Sequence, residues 1–213
     1  MKNGKFDVGT IIKGKDLKSS ILCKILPEDM VVRESYVHTH QYKVGMNTDL
    51  FFVKENCETG MYFYLIEDIC GHLDQGTKLA VIEIPDDEDV YVDHGKFCTH
   101  RFQITEIMSY SETATWQYLY ENGADITAQD DYAVRWAAKN GHLEIVRYLF
   151  EKGADITAKN NYAVRLAACN GHLEVVRYLY EKGAYIMGSV WTVRQATKNG
   201  HTDVVEYLRE MGV

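Results

Sequence analysis

Two copies of Gly-Ala-Asp-Ile-Thr-Ala stand thirty residues apart, opening at Gly123 and Gly153, and Gly183-Ala184-Tyr185-Ile186 opens a third, weaker copy. In each copy Val-Arg leads into a patch of small residues and then into Asn-Gly-His, at 134–142, 164–172 and 193–201. A fixed period of this length marks a solenoid, because each unit is one supersecondary piece that buries its apolar face only against the next. Such an array works by its surface and not through a catalytic pocket.

The unit can be read residue by residue. A first helix ends at Asn140, since Gly141 accepts the left-handed conformation of a helix stop. Ala137 and Ala138 are small enough for neighbouring repeats to approach closely. A second helix carries Leu143, Val146, Leu149 and Phe150 on one stripe. Gly153-Ala154 then turns the chain toward the next unit. Upstream, 116–124 aligns with 146–154 position by position, so the array opens with the second half of a repeat, and Ser111 or Thr113 is the expected N-cap of its helix. The last unit places Gln195, Thr197 and Arg209 where earlier copies have Trp136/Leu166, Ala138/Ala168 and Phe150/Tyr180. That polarity is expected of a terminal cap.

Ala-Ala-x-x-Gly-His-Leu-Glu-[Ile/Val]-Val, followed by Leu-x-Glu-Lys-Gly-Ala-Asp-Ile, resembles the ankyrin repeat over about residues 111–213. Two departures stand out. Tyr132-Ala133-Val134-Arg135, Tyr162-Ala163-Val164-Arg165 and Thr192-Val193-Arg194 replace the usual Thr-Pro-Leu-His, and the loop is three residues shorter than the family's norm of about 33 per repeat. The resemblance therefore implies a stubby finger. Short repeats of this kind are similar to those of ankyrin proteins in giant viruses of the mimivirus type.

The resemblance also implies a concave partner face made of loop tips and first helices. Its residues here are Gln129, Asp130, Asp131, Trp136, Lys139 and Asn140, then Lys159, Asn160, Asn161, Cys169 and Asn170, then Ser189, Trp191, Lys198 and Asn199. Plain solvation is the competing reading for each polar one, and packing against a neighbour for Trp136 and Trp191. Structural roles are implied for the turn pairs Gly141-His142, Gly171-His172 and Gly200-His201. Arg135, Arg165 and Arg194 read as inter-repeat struts, with a binding stripe as the alternative.

Residues 1–108 are less regular. Phe6, Val8, Ile11 and Ile12 suit one strand at most, and Ile21, Leu22, Ile25 and Leu26 fall at helical spacing before Pro27. Short β-prone pieces follow at 36–38, 41–44, 50–53 and 60–64. Ile66, Ile69, Cys70 and Leu73 define one face of a helix ending before Gly76. Strands are then expected at 78–85, 90–92 and 96–104, with an acidic turn at 86–89. Residues 104–116 contain neither Pro nor Gly, so the junction is no flexible linker. The expected fold class is an α+β N-terminal domain, mostly β, over 1–108. An all-α ankyrin-repeat solenoid follows over 109–213: a half repeat at 109–122, then units starting at 123, 153 and 183. The order Gln41-Tyr42-x-x-Gly45, Cys57-x-x-Gly60-x-Tyr62-Phe63, helix, Val81-x-x-Ile84-Pro85 resembles a domain found in front of ankyrin arrays in the same viruses, and small phage domains, neither with an assigned activity.

The chain's 213 residues carry a net charge of −8, and residues 1–108 hold 12 basic and 18 acidic side chains. Neither half has the basic excess that phosphate binding needs, so no nucleic-acid partner is expected. No apolar run is long enough to span a membrane and none follows the first charges as a leader would, so neither membrane nor secretion is expected. Five cysteines, at 23, 57, 70, 98 and 169, fit free thiols in a reducing compartment. Cys70/His72, Cys98/His100, His38/His40 and Cys57 are zinc-type ligands, but their spacing does not match a structural zinc site, and buried cysteines with surface histidines is the plainer reading. Asp86-Asp87-Glu88-Asp89 lacks the alternation of a calcium loop and reads as a solvated turn. No phosphate loop or nucleophile elbow occurs. No catalytic residues, metal or cofactor are expected.

The functional expectation is a non-enzymatic interaction protein that binds a viral or host protein partner as an adaptor or effector, in the host cytoplasm or the virion. The alternatives are a ligand-binding or enzymatic front domain targeted by the repeats, and a self-assembling virion protein.

Overall fold

The structure is a computed structural model and describes residues 2–3, 6–33, 39–48, 61–93, 96–186 and 190–213. The chain divides into two compact units, Met1–Ala124 and Asp125–Val213.

The first unit is built on strands: β1 (Lys2–Asn3), β2 (Phe6–Asp7), β3 (Ile11–Lys13), β4 (Leu22–Leu26), β5 (Val31–Arg33), β6 (Thr39–Gln41), β7 (Gly45–Thr48), β8 (Met61–Leu65), β9 (Lys78–Glu83), β10 (Asp89–Asp93), β11 (Lys96–Thr99) and β12 (Arg101–Ser109). Eight form an antiparallel sheet in the order β3-β10-β11-β8-β4-β9-β12-β7, while β1 pairs with β2 and β5 with β6. Leu22 lies opposite Leu65 on one side and Ile82 on the other. The core gathers Leu17, Leu26, Met61, Phe63, Phe97 and Phe102 from across the sheet, with Phe63 and Phe97 stacked 5.4 Å apart.

Several local expectations change here. Residues 21–26 form no helix but the strand β4, all five of whose residues are buried. A strand covered on both faces is apolar along most of its length, which mimics helical spacing over so short a run. Its buried Lys24 donates to the Tyr62 carbonyl at 2.6 Å. The N-terminal segment makes separate short strands where one was expected, because β2 and β3 pair with different partners. The 41–44 strand stops at Gln41, where the Asn47 side chain closes the turn by bonding the Lys43 amide and the Lys43 and Gly45 carbonyls. The 96–104 strand breaks at His100 into β11 and β12. Helical turns do carry Ile66, Ile69, Cys70 and Leu73 inward, as 3₁₀ segments Ile66–Gly71 and Leu73–Gln75. The expected strands at 36–38 and 50–53 lie outside the described residues.

The acidic stretch is more than a solvated turn. Asp86 pairs with Lys18 at 2.7 Å and Asp89 with Lys13, while Arg101 holds the buried Glu88 at 2.6 Å and reaches Asp87. These pairs tie β3, β10 and β12 together. Cys98 is disulfide-bonded, which corrects the expectation of free thiols throughout and removes the cysteine argument for a reducing compartment. Cys23, Cys70 and Cys169 are free.

Helix α1 (Thr113–Glu121) closes this unit. Its N-cap residue is Glu112, not Ser111 or Thr113, and makes no side-chain cap bond. The hydroxyls of Ser109 and Ser111 instead bond each other at 2.8 Å. The helix is pinned to the end of β12 by Thr115 donating to the Ser109 carbonyl at 2.5 Å and the fully buried Trp116 donating to the Tyr110 carbonyl at 2.8 Å.

The second unit consists of helix pairs: α2 (Ala128–Lys139) with α3 (Leu143–Glu151), α4 (Ala158–Cys169) with α5 (Leu173–Glu181), and α6 (Val190–Lys198) with α7 (Thr202–Glu210). First helices pack on first helices, α2 on α4 on α6, and second helices likewise. Ala137, Ala138, Ala167, Ala168 and Ala196 are fully buried where the first helices meet. The second-helix stripe runs through Ile145, Val146 and Leu149, with Leu143 and Phe150 only half-buried at its edges. No helix among the described residues is long and apolar enough to cross a membrane.

Candidate partner-binding face of the helical repeats

The opening residues of α2 and α4 depart from helical geometry and form no hairpin tip. Gln129, Asp130 and Asp131 all adopt left-handed backbone angles, with φ of 54°, 57° and 60°, and Lys159, Asn160 and Asn161 repeat the turn. Three consecutive left-handed residues without glycine are costly, on the order of 1–2 kcal/mol each, less for Asp and Asn. Specific bonds hold them. The Asp131 and Asn161 amides donate to the Thr127 and Thr157 carbonyls. Arg135, buried on the first helix, donates through Nε to the Asp130 carbonyl at 3.0 Å and through Nη2 to the Gln129 carbonyl at 2.6 Å.

The same turns join one repeat to the next. Asp131 Oδ1 accepts the Asp155 amide at 2.9 Å, and Asn161 Oδ1 accepts the Tyr185 amide at 3.2 Å. Burial lifts the Asp131 carboxyl above its ordinary value, although that bond opposes the rise. Asp130 pairs with Lys159 at 3.0 Å. At the far end of the helices, His172 Nε2 bonds the Lys139 carbonyl at 2.9 Å, and Asn199 Nδ2 donates to the Cys169 carbonyl at 2.8 Å. The imidazoles of His172 and His201 rest on Gly141 and Gly171, where a Cβ would come within 2.5 and 2.4 Å of the ring. Burial, and then the neighbouring His172, lowers the His142 pKa.

Between these struts the first helices expose a band of polar and aromatic side chains. Gln129, Asp130, Lys139, Asn140, Lys159, Asn160, Asn170, Trp191 and Lys198 are exposed, and Asp131, Trp136 and Cys169 are half-buried. Asn161 is only 8% exposed and its oxygen is held by Tyr185, so it is withdrawn from this face. Asn140 and Asn170 turn their amides back onto the Trp136 and Leu166 carbonyls. Trp136 leans on His142, ring centres 5.4 Å apart, whereas Trp191 is 51% exposed. Ser189 lies outside the described residues.

The arginines do not act alike. Arg135 hydrogen-bonds its own turn, and Arg194 is exposed. Guanidinium and aromatic groups alternate along the helices. Arg135 lies 5.1 Å from the Tyr132 ring and 6.0 Å from Tyr162, and Arg165 lies 5.6 Å from both Tyr162 and Trp191. These are cation–π distances. The tyrosines of this column were legible in principle, since each precedes its arginine by three residues and so shares its helical face.

In the first unit, a cleft of about 500 Å³ is lined by Leu17, Lys18, Ile82, Asp86 and Tyr118 among others. Among the described residues no three His, Cys, Asp or Glu side chains converge as metal ligands. His38 and Cys57 lie outside the described residues.

Residues 106–189 match the family model for ankyrin repeats (3 copies). The chain therefore carries ankyrin repeats in that stretch, and ankyrin repeats are in general protein–protein interaction modules. The helix pairing extends past the match through α6 and α7.

Proposed function

We propose that the second unit is a short ankyrin solenoid whose concave side, formed by the first helices and the left-handed turns, binds one protein partner without catalysing a reaction. The observation that carries this reading is the exposed band on α2, α4 and α6, ending at Trp191. It lies on a framework whose glycines, histidines and turn carboxamides are already committed to holding repeats together. An exposed tryptophan beside ordered polar groups is typical of an interface anchor. The short repeats and the order of motifs in the front half support a viral adaptor or effector acting on a host protein. Of the two places considered, the virion suits the Cys98 disulfide better than a reducing cytoplasm.

A pull-down from host extract tests the reading, with the intact chain and a Trp191→Ala/Lys139→Ala variant as parallel baits. A partner held by the first and lost by the second is the expected result. Equal retention by both, with helical content unchanged, would reject this face as the binding surface. The cleft favours a second reading, a ligand-binding front unit. A small molecule that raises the melting temperature of the intact chain, and fails to do so after Tyr118→Ala, would support it.

A further inference from the structure

We propose that the first helices recognise an acidic segment of the protein partner, with Arg165 receiving a carboxylate and Trp191 covering the apolar residue beside it. This rests on the partner face proposed above and specifies its chemistry. The charge distribution comes first. The first-helix stretches 132–139, 162–169 and 190–198 contain Arg135, Lys139, Arg165, Arg194 and Lys198 and no Asp or Glu. Helices α3, α5 and α7 carry seven acidic residues against three arginines. In a chain that is net acidic, the first helices beyond their opening turns carry only cations, while of the two turn acids Asp130 is paired with Lys159 and Asp131 accepts the Asp155 amide. Complementarity selects an anionic partner there.

Arg165 supplies the specific contact. It occupies the place in Tyr-Ala-Val-Arg that Arg135 occupies one repeat earlier, behind a left-handed turn of the same shape. Arg135 gives Nε and Nη2 to the carbonyls of its turn. Arg165 is less buried, and its Nε is shielded from solvent with no hydrogen-bond acceptor. A shielded N–H without an acceptor is costly, so Arg165 is not held by its turn as Arg135 is. Tyr162 and Trp191 each lie 5.6 Å from the guanidinium, and a carboxylate is the acceptor that matches a guanidinium fork. Val190 and Trp191, 79% and 51% exposed, add an apolar shelf at the same end. Carboxylate and apolar side chain side by side describe an acidic–hydrophobic peptide. A nucleic-acid strand fits less well, because the acidic surroundings oppose a dense polyanion.

The test titrates the intact chain into a labelled short peptide of alternating Glu and Leu, and into its Gln/Leu counterpart, read by fluorescence anisotropy. The Glu peptide should bind at least about tenfold more tightly than the Gln peptide. Arg165→Gln should abolish that difference, Arg165→Lys should restore it only in part, and Trp191→Ala should weaken both peptides. Lys198→Gln, at an exposed position that leaves folding intact, should weaken the Glu peptide alone. Raising salt from about 0.05 M to about 0.5 M should weaken Glu-peptide binding. No binding of the Glu peptide, equal affinity for both peptides, or an Arg165-dependent preference for a short RNA would overturn the proposal. If the peptides bind equally but Trp191→Ala still releases the partner from the pull-down, the face survives and only its acidic specificity falls.

Discussion

In the strand unit Leu22 finds its partners at Leu65 and Ile82, far along the chain; in the helical unit Asp131 reaches Asp155 and Lys139 meets His172, one repeat on. The two units therefore solve the problem of chain entropy differently. The sheet must close long loops before β4 gains either neighbour, so its stability is gathered into one shared core. The helical pairs need only the adjacent pair, and their stability is a sum of similar nearest-neighbour terms. A defect in the first should be global and a defect in the second local and graded.

The largest effect tests the shared core. Phe63→Ala removes a fully buried ring stacked on Phe97 and should cost about 3–5 kcal/mol. In urea unfolding, aromatic near-UV signals from the strand unit should be lost together at lower denaturant, while the helical far-UV signal follows its original curve. Coincident loss of both signals would break the contrast.

A middle-sized effect tests the repeat contacts. Gly141→Ala places a Cβ at φ +75° and against the His172 ring, and should cost about 1–2 kcal/mol for the backbone alone, with more for displacing the imidazole. His172→Ala removes the second part, so Gly141→Ala should cost less in that background. A cycle of equilibrium unfolding free energies measures the difference, and additive costs would show that the ring and the glycine are not coupled.

The smallest effect is electrostatic. Burial, then His172, keeps the His142 pKa below its ordinary 6.5. The unfolded chain therefore takes up this proton first, and the contribution to stability is complete above about pH 6.5 and falls as pH drops through the folded value. Melting temperatures of the intact chain and of His142→Gln, compared from about pH 8 to about pH 5, should converge as the solution becomes acidic. A constant gap across that range would mean that the imidazole is not held neutral.

The helical unit was legible because its information is local and written more than once. The small pair Ala137-Ala138, the stop at Gly141 and the period of thirty each follow from a few neighbouring residues, and the helices lie where the pattern puts them. Much of the sheet was legible at the level of existence: the strands at 61–65, 78–83 and 89–93 and the inward face of Ile66, Ile69, Cys70 and Leu73. What stayed hidden depended on residues distant in sequence. β4 looked helical because nothing within residues 21–26 reveals that both its faces are covered. The acidic run looked solvated because Lys13, Lys18 and Arg101 reach it only after the sheet has formed.

The face of the repeats divides in the same way. The sequence by itself marked which helices carry the proposed face, since one position in a periodic pattern fixes the next. Only the tertiary structure decided that Asn161 turns inward, that Arg135 is spent on its own turn, and that Arg165 keeps a shielded N–H without an acceptor between Tyr162 and Trp191. The shared Tyr-Ala-Val-Arg does not separate Arg135 from Arg165, because the distinction lies in which carbonyls and rings the fold brings within reach.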